Sequence, residues 1–176
     1  MTVNGFFKGP DDDTSWHIHG EEGNRYSEEK LKQEYILLFG RVTYEMMCAF
    51  WPGETAAAMF PVVAKRINES EKIVLSNTLK SAGWNNTTVI SGDGIQKVKE
   101  LKSEEGKDIT VLGSGSVVTQ LANAGLIDEY EFLIDPVAIG KGTPLMEGIK
   151  HNLKLKLSGS RIFHISGTVV LTYSKT

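Results

Sequence analysis

The fold is decided by the stretch Val111-Leu112-Gly113-Ser114-Gly115-Ser116-Val117-Val118. An apolar strand pattern that begins at Ile109 runs into two glycines and two serines and continues at once as a helix pattern. Glycine lets the backbone approach a ligand closely, and the N–H groups at a helix start favour anionic oxygens. The stretch therefore predicts a parallel α/β sheet with a phosphate-binding turn. An ordinary strand-to-helix turn remains the alternative for this motif alone, because the third glycine of the dinucleotide fingerprint is absent.

The same alternation of apolar runs and amphipathic segments covers most of the chain on both sides of this stretch. The predicted strands are 36–39, 72–75, 87–90, 109–112 and 130–134. The predicted helices are 27–34 with Ser27 as N-cap, 42–50, one from Phe60 with Pro61 in its first turn, 95–102, and 116–124 stopped by Gly125. Two closing strands are predicted, one through Leu153, Leu155 and Leu157 and one over 162–173 with a bulge at Gly167. The predicted fold class is α/β, a three-layer αβα arrangement with a mostly parallel central sheet and an antiparallel C-terminal hairpin.

Composition restricts the class of protein. The 176 residues carry a formal net charge of -3, which gives no basic footprint for nucleic acid. Cys48 is the single cysteine, so neither an internal disulfide nor a cysteine zinc cluster can form, and a cytoplasmic location is expected. No apolar run is long enough for a membrane span. We expect one domain over residues 1–176.

Two further strand ends carry polar residues of the kind that hold nucleotides. Gly40-Arg41-Val42-Thr43 follows one predicted strand, and an arginine there could pair with phosphate. Leu75-Ser76-Asn77 follows another. Taken singly, each could also be a surface turn. Because ligand sites in parallel sheets lie at the carboxyl ends of strands, the three ends together predict one nucleotide site.

These three segments, with Leu126-Ile127-Asp128-Glu129 and the run from Pro136 to Leu145, carry a family resemblance. As an ordered set they resemble the dihydrofolate reductase superfamily. Within that superfamily they resemble most a bacterial branch, the RibD C-terminal domain. This branch is similar to the reductase half of riboflavin-biosynthesis deaminase/reductases. The resemblance extends from about Thr2 to Tyr173.

The resemblance implies an NADPH-dependent reductase that passes hydride to a bound heterocycle. The residues implied at the cofactor are Gly40, Arg41, Thr43, Leu75, Ser76, Asn77, Gly113, Ser114, Gly115, Ser116 and Val117. Arg41 and Thr43 would lie toward the pyrophosphate and adenosine, and Leu75 to Asn77 would flank the ribose and its 2′-phosphate. Gly113 to Val117 would cradle the pyrophosphate and the nicotinamide side. Because the cofactor carries the hydride, no catalytic side chain is assigned.

The substrate side departs from the family pattern. The candidate substrate residues are Asn4, Phe6, Trp16, Asn24, Tyr44 and Trp51. Asn24 stands near the place where folate-reducing relatives have a carboxylate, so folate reduction is in doubt. Phe6 replaces the lysine expected to meet a ribose phosphate. These changes favour an unphosphorylated, planar pterin- or pyrimidine-like substrate.

A second interpretation, from a different functional class, stays open. In it the chain is a non-catalytic nucleotide-binding or assembly protein that retains the fold. This interpretation is favoured by the start of the chain, because Met1 enters almost directly at the end of the family's first strand. Either residues are absent before Met1, which we favour, or a partner completes the sheet, or the sheet remains incomplete. The apolar C-terminal strands suit a homodimer. His17 and His19 lack a third ligand, so no metal is expected, and Cys48 is interpreted as a packing residue.

Overall fold

In a computed structural model, the structure describes residues 1–18 and 20–176, so His19 lies outside the described residues. The chain forms two compact units. Residues Asn24–Val118 form the first, here called the parallel unit, and Met1–Gly23 with Thr119–Thr176 form the second, here called the antiparallel unit. None of the helices in the described part of the chain is long and apolar enough to cross a membrane.

The parallel unit is built on a four-stranded sheet in the order β4-β3-β2-β5, with every neighbouring pair parallel. Its strands are β2 (Tyr35–Gly40), β3 (Glu71–Leu75), β4 (Thr87–Ile90) and β5 (Asp108–Val111). The α-helices in the described residues are α1 (Glu21–Lys30), α2 (Arg41–Phe50), α3 (Glu54–Met59), α4 (Pro61–Glu69), α5 (Gly94–Ser103) and α6 (Gly115–Asn123). Strands β2 and β3 are apolar and buried at their centres, as expected for a parallel sheet with helices between its strands.

The core of this unit is aromatic. The rings of Phe39, Tyr44 and Trp84 lie 6.1 to 6.4 Å apart between centroids, and all three side chains are buried. Leu37 and Val74 pack against them from the sheet. Offset and tilted ring pairs at this spacing are favourable beyond the area they bury.

Lys72, on the second residue of β3, is completely buried in this core. Its Nζ donates to the carbonyl oxygens of Asn68 (3.0 Å), Ser70 (2.7 Å) and Asn85 (3.2 Å). It also lies 4.6 Å from the centroid of the Trp84 ring. Burial lowers the pKa of Lys72 to about 8, and the nearby Cys48 opposes that shift.

The antiparallel unit contains a three-stranded sheet in the order β6-β9-β8. Its strands are β6 (Glu129–Ile134), β8 (Leu155–Ile162) and β9 (Val169–Lys175). A second, short pair joins β1 (Phe6–Lys8) to β7 (Thr143–Pro144). The Glu22 carboxylate accepts hydrogen bonds from the backbone N–H groups of His164 (3.1 Å) and Ile165 (2.8 Å) and so holds the β8–β9 turn.

The predicted α/β class, with a parallel sheet and an antiparallel C-terminal hairpin, is confirmed. The predicted helix 27–34 is wrong in its bounds. Helix α1 begins at Glu21 and ends at Lys30, and Ser27 lies inside it instead of capping it. Acidic residues in the first turn and a lysine in the last suit the helix dipole better than the predicted bounds.

The two closing strands are also shifted. Strand β8 runs from Leu155 to Ile162, so Ile162 ends one strand and does not begin the next. Gly167, with φ +75°, lies in the hairpin turn, where its N–H donates to the Phe163 carbonyl (2.8 Å), and it is not a bulge. The register irregularity falls between Leu157 and Gly159 instead.

Candidate functional site

The predicted cofactor segments all lie at one edge of the parallel sheet. The register pairs Gly40 with Leu75, Leu75 with Ile90, and Leu38 with Val111, so these strands end side by side. Since all four strands run in the same direction, the loops that follow them share the carboxyl edge. The structure thereby brings together, within the parallel unit, the three segments that the sequence marks.

Gly113 and Ser114 form a left-handed turn at the end of β5. Their φ angles are +61° and +57°, a conformation that glycine adopts easily and serine adopts at a cost. The buried Ser114 compensates through its side chain, because its Oγ accepts a 2.8 Å hydrogen bond from the Gly40 N–H. The serine predicted to donate to a ligand thus also joins the end of β5 to the end of β2.

The loop after β2 and the loop after β5 approach each other closely at Gly40. A Cβ placed there would lie 3.1 Å from Cγ2 of Val117 and 3.5 Å from Ser114 Oγ. At Gly113, a Cβ would lie 3.5 Å from Cγ2 of Thr43, which places the Thr43 side chain beside the glycine turn. The glycines therefore let the first turn of α2 and the first turn of α6 meet at this edge.

Helix α6 starts from this turn, where the N–H groups of Val117 (2.8 Å) and Val118 (3.0 Å) donate to the Ser114 carbonyl. The first N–H groups of an α-helix have no intrahelical acceptor, and the helix dipole places partial positive charge there. A helix start of this kind, directly after a glycine turn, fits a pyrophosphate. The residues present are therefore compatible with a dinucleotide.

Arg41 supplies a cation at the start of α2. Its Nη1 lies 2.7 Å from Oε2 of Glu45 one turn along the helix, and both side chains are nearly half exposed. Exposed i,i+4 pairs of this type contribute only about 0.3–0.5 kcal/mol. Such a weak pair can be exchanged for a phosphate without a large loss of stability.

The third segment, Leu75-Ser76-Asn77, is held in place by hydrogen bonds between its own side chains and nearby backbone N–H groups. Ser76 Oγ accepts hydrogen bonds from the N–H groups of Thr78 (3.2 Å) and Leu79 (3.0 Å). Asn77 Oδ1 accepts one from Gly92 (2.7 Å), and Leu75 packs closely on Gly94. The side chains of Ser76 and Asn77 thus shape the loop that would hold a ribose.

Sequence reasoning missed the fourth strand end, Ser91-Gly92-Asp93, which follows β4 at the same edge. Asp93 caps α5 by accepting from the Gln96 N–H (2.9 Å). The signal was available, because 87–90 was predicted as a strand and the residues after it are small and polar.

Two of the three substrate candidates of the parallel unit, Tyr44 and Trp51, have structural partners. Tyr44 is only 3% exposed, and its hydroxyl accepts a 3.1 Å hydrogen bond from the Trp84 N–H, so its side chain packs in the core and its role at a substrate stays a prediction. Trp51 packs on Phe50 and Phe60 and donates from Nε1 to the Met47 sulfur (3.1 Å). Asn24 is half-buried on α1.

The other three candidates lie in the antiparallel unit. Asn4 donates from Nδ2 to the Ile139 carbonyl (2.8 Å) and accepts at Oδ1 from the Ile139 N–H (3.3 Å). An amide can make both bonds, whereas a carboxylate could only accept, which accounts for asparagine at this position. Phe6 is paired with Pro144, and Trp16 donates from Nε1 to the Asp13 carbonyl (3.2 Å).

Comparison with known proteins agrees with this architecture. The RibD C-terminal domain family matches residues 1–170. Two Bacillus subtilis (strain 168) proteins are similar in sequence: the uncharacterized protein YyaP is 29% identical over 173 residues, covering 98% of this chain and 90% of YyaP. The uncharacterized protein YwjB is 26% identical, covering 93% of this chain and 88% of YwjB.

Solved structures show the same fold. A riboflavin biosynthesis protein from Shewanella sp. PV-4, described as putative, matches with a TM-score of 0.75 at 18% identity, over 100% of this chain and 95% of that one. A dihydrofolate reductase from Enterococcus faecalis, complexed with NADP(H), matches with a TM-score of 0.63 at 17% identity, over 100% and 92%. A deaminase/5-amino-6-(5-phosphoribosylamino)uracil reductase from Thermotoga maritima matches at 0.67 and 14% identity, over 100% of this chain and 54% of that one. The fold is therefore dihydrofolate-reductase-like, and the chain belongs to the RibD C-terminal domain family.

Proposed function

We propose that this protein is an NADPH-dependent reductase acting on a small, unphosphorylated pterin- or pyrimidine-like heterocycle. The observation that carries the proposal is the meeting of the ends of β2, β3 and β5 at one edge, with the glycine turn at Gly113 beside the start of α2. The reductase-type fold of the family supports it.

In this proposal the residues of the parallel unit bind and orient the dinucleotide. The start of α6 and the Gly113–Ser114 turn hold the pyrophosphate through backbone N–H groups. Arg41 exchanges its bond to Glu45 for an oxygen of the 2′-phosphate, and the loop of Ser76 and Asn77 holds the ribose that bears this phosphate. When bound, the reduced nicotinamide supplies the hydride.

The decisive test is titration of the protein with NADPH and with NADH, followed by tryptophan fluorescence. NADPH is expected to bind at least tenfold more tightly, because the 2′-phosphate gains a charge-assisted hydrogen bond. Arg41→Gln should remove most of that preference. Arg66→Gln is the matched control, since Arg66 is exposed in the last turn of α4, just before β3 begins. Equal affinity for both nucleotides contradicts the 2′-phosphate assignment, and no binding by a folded protein favours the non-catalytic interpretation.

We also propose that the protein forms a homodimer through the antiparallel unit. Strand β8 is at the end of its sheet order, and Leu157 and Ile162 on it are more than half exposed, at 53% and 55%. An edge strand with exposed apolar residues is a ready surface for association. Analytical ultracentrifugation at micromolar concentration should show a dimer, and Leu157→Lys should yield a monomer. A wild-type monomer contradicts the proposal.

A further inference from the structure

One edge of strand β8 is open to a further strand. Among residues 1–18 and 20–176, β9 pairs with one side of β8 and no strand pairs with the other. An open strand edge presents a row of N–H and C=O groups that another strand can use. Most residues of β8 are exposed, including Leu157 and Ile162 at 53% and 55%. The edge therefore offers both backbone groups and apolar side chains to a partner.

A β-bulge brings the two exposed apolar side chains onto one face of the sheet. The register with β9 passes over Ser158, which is one extra residue on β8. Side chains alternate between the faces of a strand, so two residues five positions apart would otherwise point to opposite faces. The partners of Leu157 and Ile162 on β9 are Tyr173 and Val169, which are four residues apart and share a face. Leu157 and Ile162 therefore lie on the same face along the open edge.

The hairpin hydrogen bonds show which backbone groups of β8 point to the open edge. The Phe163 N–H donates to the Thr168 carbonyl (2.8 Å), so the backbone of Phe163 faces β9. Residues of an antiparallel strand direct their backbone groups alternately to one neighbour and to the other. The N–H and C=O groups of Ile162 and Ser160 therefore point away from β9, and those of Arg161 point toward it.

A second copy of β8 fits this edge in an antiparallel register centred on Ser160. Ser160 then lies opposite Ser160 of the second copy, and each offers its N–H and C=O to the other. With the bulge counted as one position, Ile162 lies opposite Leu157 of the second copy. A two-fold interface repeats every contact, so this apolar pair forms twice. Arg161 lies opposite Gly159 of the second copy, so its charge meets no like charge there.

The positions of the apolar and charged residues favour a second copy over a strand of another protein. The apolar positions lie at equal distances on either side of Ser160 once the bulge is counted as one, as a two-fold axis requires. Charged side chains can protect an edge strand against association. Here Lys156 and Arg161 pair with Ser174 and Val170, so they lie on the opposite face from the apolar pair and leave it free to be covered.

We propose that two copies of the chain join by pairing β8 with β8, with the two-fold axis at Ser160. The two three-stranded sheets then become one antiparallel sheet of six strands. Main-chain hydrogen bonds of Ser160 and Ile162 hold the copies together, and the contacts of Ile162 with Leu157 fix the register. This arrangement rests on the homodimer proposed above and specifies its interface.

The main test places a cysteine at the proposed axis. Cys48 is the single cysteine, so Cys48→Ala gives a background without thiols. In that background, Ser160→Cys should cross-link two copies, because hydrogen-bonded residues opposite each other have Cα atoms about 5.5 Å apart, within reach of a disulfide. Ser158→Cys, an exposed position on the same strand, is the matched control, since its Cα would lie more than about 10 Å from its counterpart.

Both cysteine variants are oxidised mildly with copper phenanthroline and compared on gels run without reductant. We expect at least about tenfold more disulfide-linked dimer from Ser160→Cys than from Ser158→Cys, and dithiothreitol should reverse the link. Equal cross-linking by the two variants, or none by Ser160→Cys in a protein that is a dimer, overturns the β8 pairing.

A second measurement uses the protein without added cysteines. In the proposed dimer the N–H groups of Ser160 and Ile162 are hydrogen-bonded, and in Leu157→Lys they are open to water. Their amide hydrogens should therefore exchange at least about 100-fold more slowly in the wild type than in Leu157→Lys. The N–H of Arg161 faces β9 in either state, so its exchange rate is the internal control.

The outcomes separate this arrangement from the homodimer itself. A wild-type monomer at micromolar concentration overturns the homodimer and the β8 pairing with it. A wild-type dimer in which Ser160 and Ile162 exchange as fast as in Leu157→Lys overturns the β8 pairing and leaves a homodimer with another interface.

Discussion

Lys72 in the parallel unit and Asp135 in the antiparallel unit are both buried charges, but they are satisfied in different ways. The Lys72 ammonium donates to three backbone carbonyls and faces the Trp84 ring, so its hydrogen-bond partners are fixed dipoles of the core. The Asp135 carboxylate accepts from the Thr168 hydroxyl and lies 2.7 Å from Nδ1 of His17, so its partners are side chains.

The difference lies in what satisfies each charge. An ammonium with three donors matched by three carbonyls replaces the hydrogen bonds it would make to water. The Asp135 carboxylate is held instead by side chains from separate segments of the antiparallel unit. We therefore expect the loss of the Lys72 charge to cost more stability than the loss of the Asp135 charge.

The largest expected effect is that of Lys72→Ala on stability. The substitution leaves three carbonyl oxygens in the core without their donor, and each orphaned group costs about 1–3 kcal/mol. We expect the free energy of unfolding to fall by at least about 3 kcal/mol in urea titration monitored by tryptophan fluorescence. Lys65→Ala, which removes an exposed lysine from the neighbouring helix, should change it by less than about 0.5 kcal/mol. Similar losses in both variants would show that the ammonium does not hold the core.

Asp135→Asn should affect the fold less than Lys72→Ala does. The amide oxygen can still accept from Thr168, but the charge 2.7 Å from Nδ1 of His17 is gone. Replacing a charge-assisted hydrogen bond by a neutral one should lower the free energy of unfolding by about 1–2 kcal/mol in the same urea titration. A loss as large as that of Lys72→Ala would mean that the kind of partner does not matter, and the comparison would fail.

The contrast between the two units also shows what the sequence could predict. The strand ends at Gly40, Leu75 and Val111 were predicted to within one residue from local signals, because an apolar run is followed within a few positions by glycine or small polar residues. Strand 72–75 was predicted in the same way, but the burial of Lys72 was not. The third carbonyl that accepts a hydrogen bond from Lys72 belongs to Asn85, 13 residues along the chain.

Longer separations were still less predictable. Tyr44 stands inside a cofactor motif, and its role in the core depends on Trp84, 40 residues away. His17 and Asp135 are 118 residues apart, so the sequence offered only a histidine beside a tryptophan, with a second histidine two positions on, and an acidic residue at the end of a strand. Pairing of this kind is set by the topology of the sheet, and periodicity carries no information about it.

A smaller effect should appear in the pH dependence of stability. The pKa of Lys72 is lowered to about 8 in the folded state, below its ordinary value of 10.5, so between these pH values the unfolded chain binds more protons. Stability from this group is therefore fully present above 10.5 and is lost as the pH falls through about 8. Relative to Lys72→Met, the wild type should gain about 1 kcal/mol between pH 7 and pH 9, as measured by urea titration at both pH values. A constant difference would indicate that the ammonium keeps its proton throughout.

The smallest effect concerns a pair of charges that is not buried at all. Arg41 and Glu45 are exposed and lie one turn apart on α2. Because exposed ion pairs contribute little, Glu45→Gln should alter the free energy of unfolding by less than about 0.5 kcal/mol. It should instead free Arg41 for phosphate and tighten NADPH binding about two- to fivefold, an effect that weakens as salt screens the charges.

Glu69→Gln, which removes a similar exposed partner from Lys65, is the matched control and should leave NADPH binding unchanged. Because the control changes net charge by the same amount, tighter binding in Glu45→Gln alone would locate the phosphate at the start of α2. Equal tightening in both variants would reduce the effect to net charge and remove Arg41 from the site.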